Sequence, residues 1–201
     1  MYDVLVVGGG LGGASRGKAM AEHGARVLIV EREGAFRDRV RGEGMHPWGV
    51  VEAERVGILK SLPDTCGRPA RWWNIDASAE TIGPLASFDA ADRWVDHPYR
   101  SGVVPIGDAA AASNRCFGCG LSLTLRDARV LRDCLVTISD WEPAAHAYAD
   151  EHDRYSGALQ AIIGWMRMLY YERGQEADAR RACALPRLAR EPERAPDLRR
   201  R

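Results

Sequence analysis

Apolar positions near the N-terminus come as short unbroken runs, and further along the chain they come as helical stripes. Val4-Leu5-Val6-Val7 shows no alternation and ends in the cluster Gly8–Gly13, the composition of a buried strand leading into a tight turn. A second run, Arg26-Val27-Leu28-Ile29-Val30, ends in Glu31. Between them the pattern predicts a helix from about Gly12 to His23, with Gly24 as its stop. Strand, helix and strand in that order predict an α/β fold built on a parallel sheet. Pro47 suits the first turn of a helix running to about Arg55, which Gly57 would end. From Ser61 to Ala91 periodicity is weak, and Pro63, Pro69, Gly83 and Pro84 punctuate the segment. Gly102-Val103-Val104-Pro105-Ile106-Gly107-Asp108 reads as a short apolar strand ending in Gly-Asp, followed by a small-residue loop, Ala109 to Gly120. Leu121, Leu125, Ala128, Leu131 and Leu135 then mark one face of a helix to about Val136. Two further helices are expected, Trp141 to Arg154 and Ser156 to Glu172. The second carries Leu159, Ile162, Ile163, Met166, Leu169 and Tyr170 on one side. Helices to about Leu185 complete a single domain over 1–185, and the Pro-, Arg- and Glu-rich stretch 186–201 is expected to be a disordered tail.

The glycine cluster carries the first chemical signal. Gly8, Gly10 and Gly13 fit G-x-G-x-x-G, with Leu11 and Gly12 inside the motif. The first glycine permits the turn, the second lets a pyrophosphate approach the backbone, and the third lets helix and strand pack closely. The helix that follows offers unpaired N–H groups and partial positive charge to phosphate oxygens. Glu31 stands 18 residues after Gly13, where an acidic residue accepts hydrogen bonds from adenosine ribose hydroxyls, with Arg32 beside it. The pattern predicts a Rossmann-like dinucleotide site.

Composition narrows the rest. The 201 residues suffice for one sizeable core, and the 28 basic residues balance the 28 acidic ones, which removes any global electrostatic case for nucleic acid or an anionic membrane. All the basic residues except Lys18 and Lys60 are arginines. No export signal or membrane-length apolar stretch is evident, and five cysteines are an odd number, so a reduced, cytoplasmic protein is expected.

Gly107-Asp108 gives the second signal. A carboxylate at the end of a strand can accept hydrogen bonds from a ribityl chain, and the glycine allows close approach. Gly118-Cys119-Gly120 then leads through Leu121 into a helix whose amides would stabilise negative charge at the N1–C2=O edge of a reduced flavin. With both motifs present, the sequence resembles the FAD-dependent aromatic-hydroxylase type of flavoprotein monooxygenase, the para-hydroxybenzoate hydroxylase fold. The resemblance rests on VLVVGGGLGGASRGKAMAEHGARVLIVERE, on RVRGEGMHPWGVVEAERVGI and on WVDHPYRSGVVPIGDAAAASNRCFGCGLSLTLRDARVLRD. It implies that Gly8, Gly10 and Gly13 bind the FAD pyrophosphate, Glu31 the ribose and Asp108 the ribityl chain, and that Arg41 lies beside the cofactor. It also implies NAD(P)H as reductant and insertion of one oxygen atom into a small organic substrate.

The sequence departs from that family in places. Leu59 to Ala90 leaves no room for the substrate-binding sheet domain or for the family's Asp-Gly fingerprint. Arg115 stands where such proteins have proline, and Cys119 where they have glutamine. Two readings therefore stand side by side: an FAD-dependent oxidoreductase, or a non-catalytic FAD-binding remnant that needs a partner to form a pocket. Loss of a packed sheet domain would expose apolar surface, so self-association is expected. Among sharper readings, Cys116 and Cys119 form a C-x-x-C, read as ordinary loop cysteines ahead of a redox dithiol. His46 reads as a helix-start residue ahead of a catalytic base, and Trp72 and Trp73 as packing ahead of a ligand platform. Asp127 reads as a favourable helix-dipole charge, and His97 and His146 lack metal-ligand spacing.

Overall fold

The structure is a computed structural model and describes residues 1–35, 44–62, 92–114 and 117–195. Val4–Val7 (β1) and Val27–Val30 (β2) pair in parallel, with Val4 opposite Val27 and Val7 opposite Val30. Leu11–Glu22 (α1) connects them and covers one face, its Gly17 resting directly on Val27 and Ile29. Asp3 and Arg26 pin the register at the start of both strands. The Arg26 N–H donates to Asp3 Oδ2 at 2.8 Å, and the guanidinium bridges both carboxylate oxygens at 3.0 and 2.8 Å. The opposite face is open: Leu5 is 62% and Val7 83% exposed. Parallel sheets are ordinarily covered on both faces, whereas among the described residues this one is covered on one.

Among the described residues four further α-helices follow: Pro47–Arg55 (α2), Gly120–Thr137 (α3), Trp141–Tyr170 (α4) and Gln175–Arg190 (α5). Helix α3 is the centre, packed against α1, α2 and α4. Its buried residues consequently run most of the way round, from Leu123 and Leu125 to Asp127, Ala128, Val130 and Leu131, where periodicity predicted a single stripe. Each fully buried leucine of this kind stabilises the fold by about 1.5–3 kcal/mol. Glu52 of α2, itself buried, pairs with Arg129 of α3, which also bonds Asp133 at 2.9 Å. A short antiparallel pair, Arg93–Trp94 (β3) with Ala111–Ala112 (β4), lies beside the helical body.

Three sequence expectations change. The apolar stretch 102–107 forms no strand beyond a single bridge between Arg100 and Val103. Ile106 is extended, with φ −136° and ψ 161°, but a strand also needs a neighbour to receive its ladder. Pro105 has no N–H to offer, and its carbonyl accepts from the Tyr148 hydroxyl at 3.1 Å. The expected helices 141–154 and 156–172 are one continuous helix, Trp141–Tyr170. Tyr155 and Ser156, at the expected break, are buried, and that packing outweighs the roughly 1 kcal/mol cost of Gly157 inside a helix. Finally, the expected tail begins as helix: α5 continues through Pro186 to Arg190, and Pro192–Arg194 form a 3-10 turn.

Candidate functional site

The glycine loop lies between the end of β1 and the start of α1. Gly8 has φ +100°, and its N–H donates to the Val30 carbonyl at 2.8 Å, tying the turn to β2. Gly13 is required by sheer proximity, since a Cβ there would stand 1.8 Å from the Gly8 carbonyl oxygen and 3.0 Å from Val6 Cγ1. Gly10 differs: nothing lies within 4 Å of where its Cβ would be. Gly10 is the residue before α1, and no side chain caps that helix start. Glu31, at the end of β2, folds back over the loop. Its carboxylate accepts the Gly9 N–H at 2.6 Å and the Glu33 N–H at 2.9 Å, bonds that hold it below the usual carboxylate range. Arg32 is exposed beside it and reaches Glu33 at 3.6 Å.

The second motif forms a 3-10 turn, Gly107–Ala109, in which Gly107 takes φ +60°. That left-handed conformation costs an ordinary residue about 1–2 kcal/mol. Asp108 is exposed, and its carboxylate points back towards α3, since a Cβ at Gly120 would lie 3.8 Å from Asp108 Oδ1. Gly118, with φ +63°, and Gly120 bring the chain into α3, with Leu121 in its first turn.

The two motifs meet on one side chain. Thr124 of α3 lies against both, 2.9 Å (Cγ2) from the position of a Gly12 Cβ and 2.9 Å (Oγ1) from that of a Gly107 Cβ. Its hydroxyl donates to the Gly120 carbonyl at 2.9 Å, which fixes the rotamer. Nothing in the sequence singles Thr124 out, although its place one turn into the helix after a glycine loop is a usable signal. A third segment arrives from α2. His46 donates its N–H to Ser122 Oγ at 3.2 Å, and its Nε2 lies 2.8 Å from the Phe117 carbonyl. The His46 ring is thus spent on holding the 117–122 loop, as its helix-start reading expected.

The helix starts differ in a way that bears on function. Helices α1, α2 and α3 begin without a side-chain cap and without an acidic residue in the first turn. The two outer helices carry acidic residues there: Asp140 caps α4, with Glu142 in its first turn, and α5, itself uncapped, starts with Glu176 and Asp178. Helices α1 and α3 begin at the two motifs with the positive ends of their dipoles, which suits an anionic group.

Asp127 is more than the helix-dipole charge its sequence position suggested. It is buried, accepts the Gly107 N–H on Oδ2 at 2.7 Å and accepts the Tyr155 hydroxyl on Oδ1. Burial pushes its carboxyl up to about 6 against these hydrogen bonds. Cys119 is also buried, and burial pushes its thiol up to about 12, which removes the thiolate a redox dithiol would need. Arg41, Trp72, Trp73, Arg115 and Cys116 lie outside the described residues.

Residues 1–68 match the family model of the FAD binding domain. The chain is similar to squalene monooxygenase of Candida glabrata, 33% identical over 105 residues, 52% of this chain and 19% of that one. It is similar also to squalene epoxidase of Saccharomyces cerevisiae, 28% identical over 165 residues, 80% of this chain and 29% of the relative. The Candida albicans squalene epoxidase is 38% identical over 116 residues, 56% of this chain and 22% of the relative. The chain thus spans less than a third of the curated relatives it matches. No solved structure matches it. Among the described residues, no helix is long and apolar enough to cross a membrane.

Proposed function

We propose that this chain binds FAD in a Rossmann-like site and works as an NAD(P)H-dependent oxidoreductase of the monooxygenase type on a small organic substrate. Supporting this reading above all is the meeting of the two motifs on Thr124, which brings the glycine loop at the start of α1 beside the Gly107 turn. The residues fit the group: the space beside Gly10 is open, and the uncapped, acid-free helix starts suit its phosphates. In this reading Gly8, Gly10, Leu11, Gly12 and Gly13 hold the pyrophosphate with backbone N–H groups. Glu31 keeps lone pairs for ribose hydroxyls beyond those used by Gly9 and Glu33, and Arg32 and Arg41 flank the cofactor. Asp108 accepts from the ribityl hydroxyls, and Gly118, Gly120 and Leu121 direct α3's N-terminal amides at the flavin edge. FAD would carry electrons from NAD(P)H to oxygen. The protein's share is to bind and orient the flavin and to keep water from it. The names of the squalene epoxidases suggest an apolar, unsaturated substrate and epoxidation.

The second reading, an FAD shell that needs another polypeptide to complete its pocket, draws on the bare sheet face at Leu5 and Val7. One spectrum separates the two. The protein is reconstituted with FAD, desalted, and given NADPH under air. Bleaching and recovery of the flavin band support the oxidoreductase, and a bound flavin that NADPH leaves unchanged supports the shell. A desalted protein without flavin would overturn both.

A further inference from the structure

The geometry points to Asp127 as the positioning residue for the cofactor turn: its buried carboxylate, held by Tyr155, fixes the Gly107 N–H and thereby aims Asp108 at FAD. This rests on the FAD reading above but concerns a residue that touches no part of the proposed cofactor. Gly107 sits in a left-handed conformation with Thr124 of α3 close beside it; inside the turn its carbonyl accepts the Ala110 N–H at 2.9 Å, while its own N–H turns to Asp127. The one side-chain hydrogen bond to its N–H crosses 20 residues, and the acceptor is itself anchored from α4 by a residue 28 positions further on. The Asp127 carboxyl group thus ties turn, α3 and α4 together.

That group is poised to titrate near physiological pH. Burial raises it, while the Tyr155 hydroxyl, His152, the Gly107 N–H and Arg126 favour its charged form. From α4 it faces Tyr155 and, near them, His152 and Tyr148. From its own helix it faces Arg126, whose guanidinium lies 4.4 Å from the Tyr155 ring centroid. The carboxylate is the stronger acceptor, since charge-assisted hydrogen bonds are roughly twice as strong as neutral ones. The turn is consequently held more tightly above pH 6 than below it, and FAD affinity should follow.

The test uses the full chain and two independent readouts. In the apo protein, the Gly107 amide resonance is followed from pH 5 to pH 7.5; it should shift with a midpoint near that of Asp127 and stay flat in Asp127→Asn. FAD affinity, read by quenching of flavin fluorescence, should fall by about tenfold in Asp127→Leu, from the loss of a charged hydrogen bond. It should fall by a few-fold in Tyr155→Phe. In Asp127→Asn, which keeps the shape and one acceptor, it should lose its pH dependence. A Gly107 amide indifferent to pH and to Asp127→Asn overturns the positioning role whether or not FAD binds. Wild-type affinity in both Asp127→Asn and Tyr155→Phe across the pH range overturns it as well. A wild-type protein that shows the amide shift but binds no FAD instead overturns the cofactor reading, leaving the turn's anchor established.

Discussion

Gly10 and Gly13 belong to one motif, yet the structure assigns their substitutions opposite consequences. In Gly13→Ala the new methyl would stand 1.8 Å from the Gly8 carbonyl oxygen and 3.0 Å from Val6 Cγ1. Ordinary contact distances would require helix and loop to separate by about 1.5 Å. The loop is tied to β2 through the Gly8 N–H, so that movement also strains the strand pair. Overpacking of this kind costs about 1–3 kcal/mol or more, which for a chain of this size lowers Tm by roughly 2–4 °C per kcal/mol. Gly10→Ala meets no atom within 4 Å, and its backbone, at φ −65° and ψ −173°, is open to any residue. Loss of a good N-cap and reduced freedom of the unfolded chain nearly cancel, leaving apo stability within about 1 kcal/mol of wild type. The same methyl would occupy the space a pyrophosphate needs, so FAD affinity should fall at least about tenfold, a cost of about 1.4 kcal/mol. Thermal unfolding of the apo proteins and fluorescence titration with FAD separate the effects. A Gly10→Ala protein that binds FAD like wild type would show that no phosphate approaches that residue. A Gly13→Ala protein with unchanged Tm would refute the packing argument.

Other outcomes follow from single residues. Asp127 has its folded-state carboxyl raised to about 6, so its contribution to stability is fully present below pH 4 and is lost as pH rises through 6. Asp127→Asn should therefore be more stable than wild type at pH 8, by up to about 3 kcal/mol in urea unfolding, and no different near pH 4. Arg16 is buried with Nη1 unpaired, and burial lowers its guanidinium to about 10, so Arg16→Met should raise the Tm of the apo protein. An unchanged or lower Tm would show that the charge is compensated. Glu52→Ala would leave Arg129 with Asp133 as its remaining partner and should cost about 1–3 kcal/mol, whereas a loss below about 0.5 kcal/mol would mark the pair as ornamental. Cys119, with its thiol pushed up to about 12, should resist thiol reagents in the folded protein at pH 8 and react only on unfolding.

What was legible in the sequence was what a short stretch of chain decides by itself. The run from Val4 to Gly13 predicts strand, turn and helix because glycine spacing and apolar continuity act within a dozen residues, and β1, α1 and β2 fall where expected. The stretch before Gly107 misled because a strand is a relation between two segments, and Pro105 with Tyr148 supplied a different partner. The break expected near residue 155 vanished because Tyr155 and Ser156 are buried and the Tyr155 hydroxyl reaches across to Asp127 of α3. Asp127 was invisible for the same reason: its donors lie 20 residues before it and 28 after it, and its position alone looks like an ordinary helix-start charge.

If α1 and α3 receive FAD as proposed, their uncapped starts tie the polypeptide's stability to cofactor supply. Hydrogen-bond donors left unmatched by the chain contribute to folding only when a ligand arrives to accept from them. A cofactor that binds the folded form alone adds about 2.7 kcal/mol at a hundred times its Kd, a sizeable share of the stability of most domains. In a cell short of flavin, such a chain would be depleted by proteolysis before it could be counted as inactive. Its abundance would report flavin status as directly as its spectrum does.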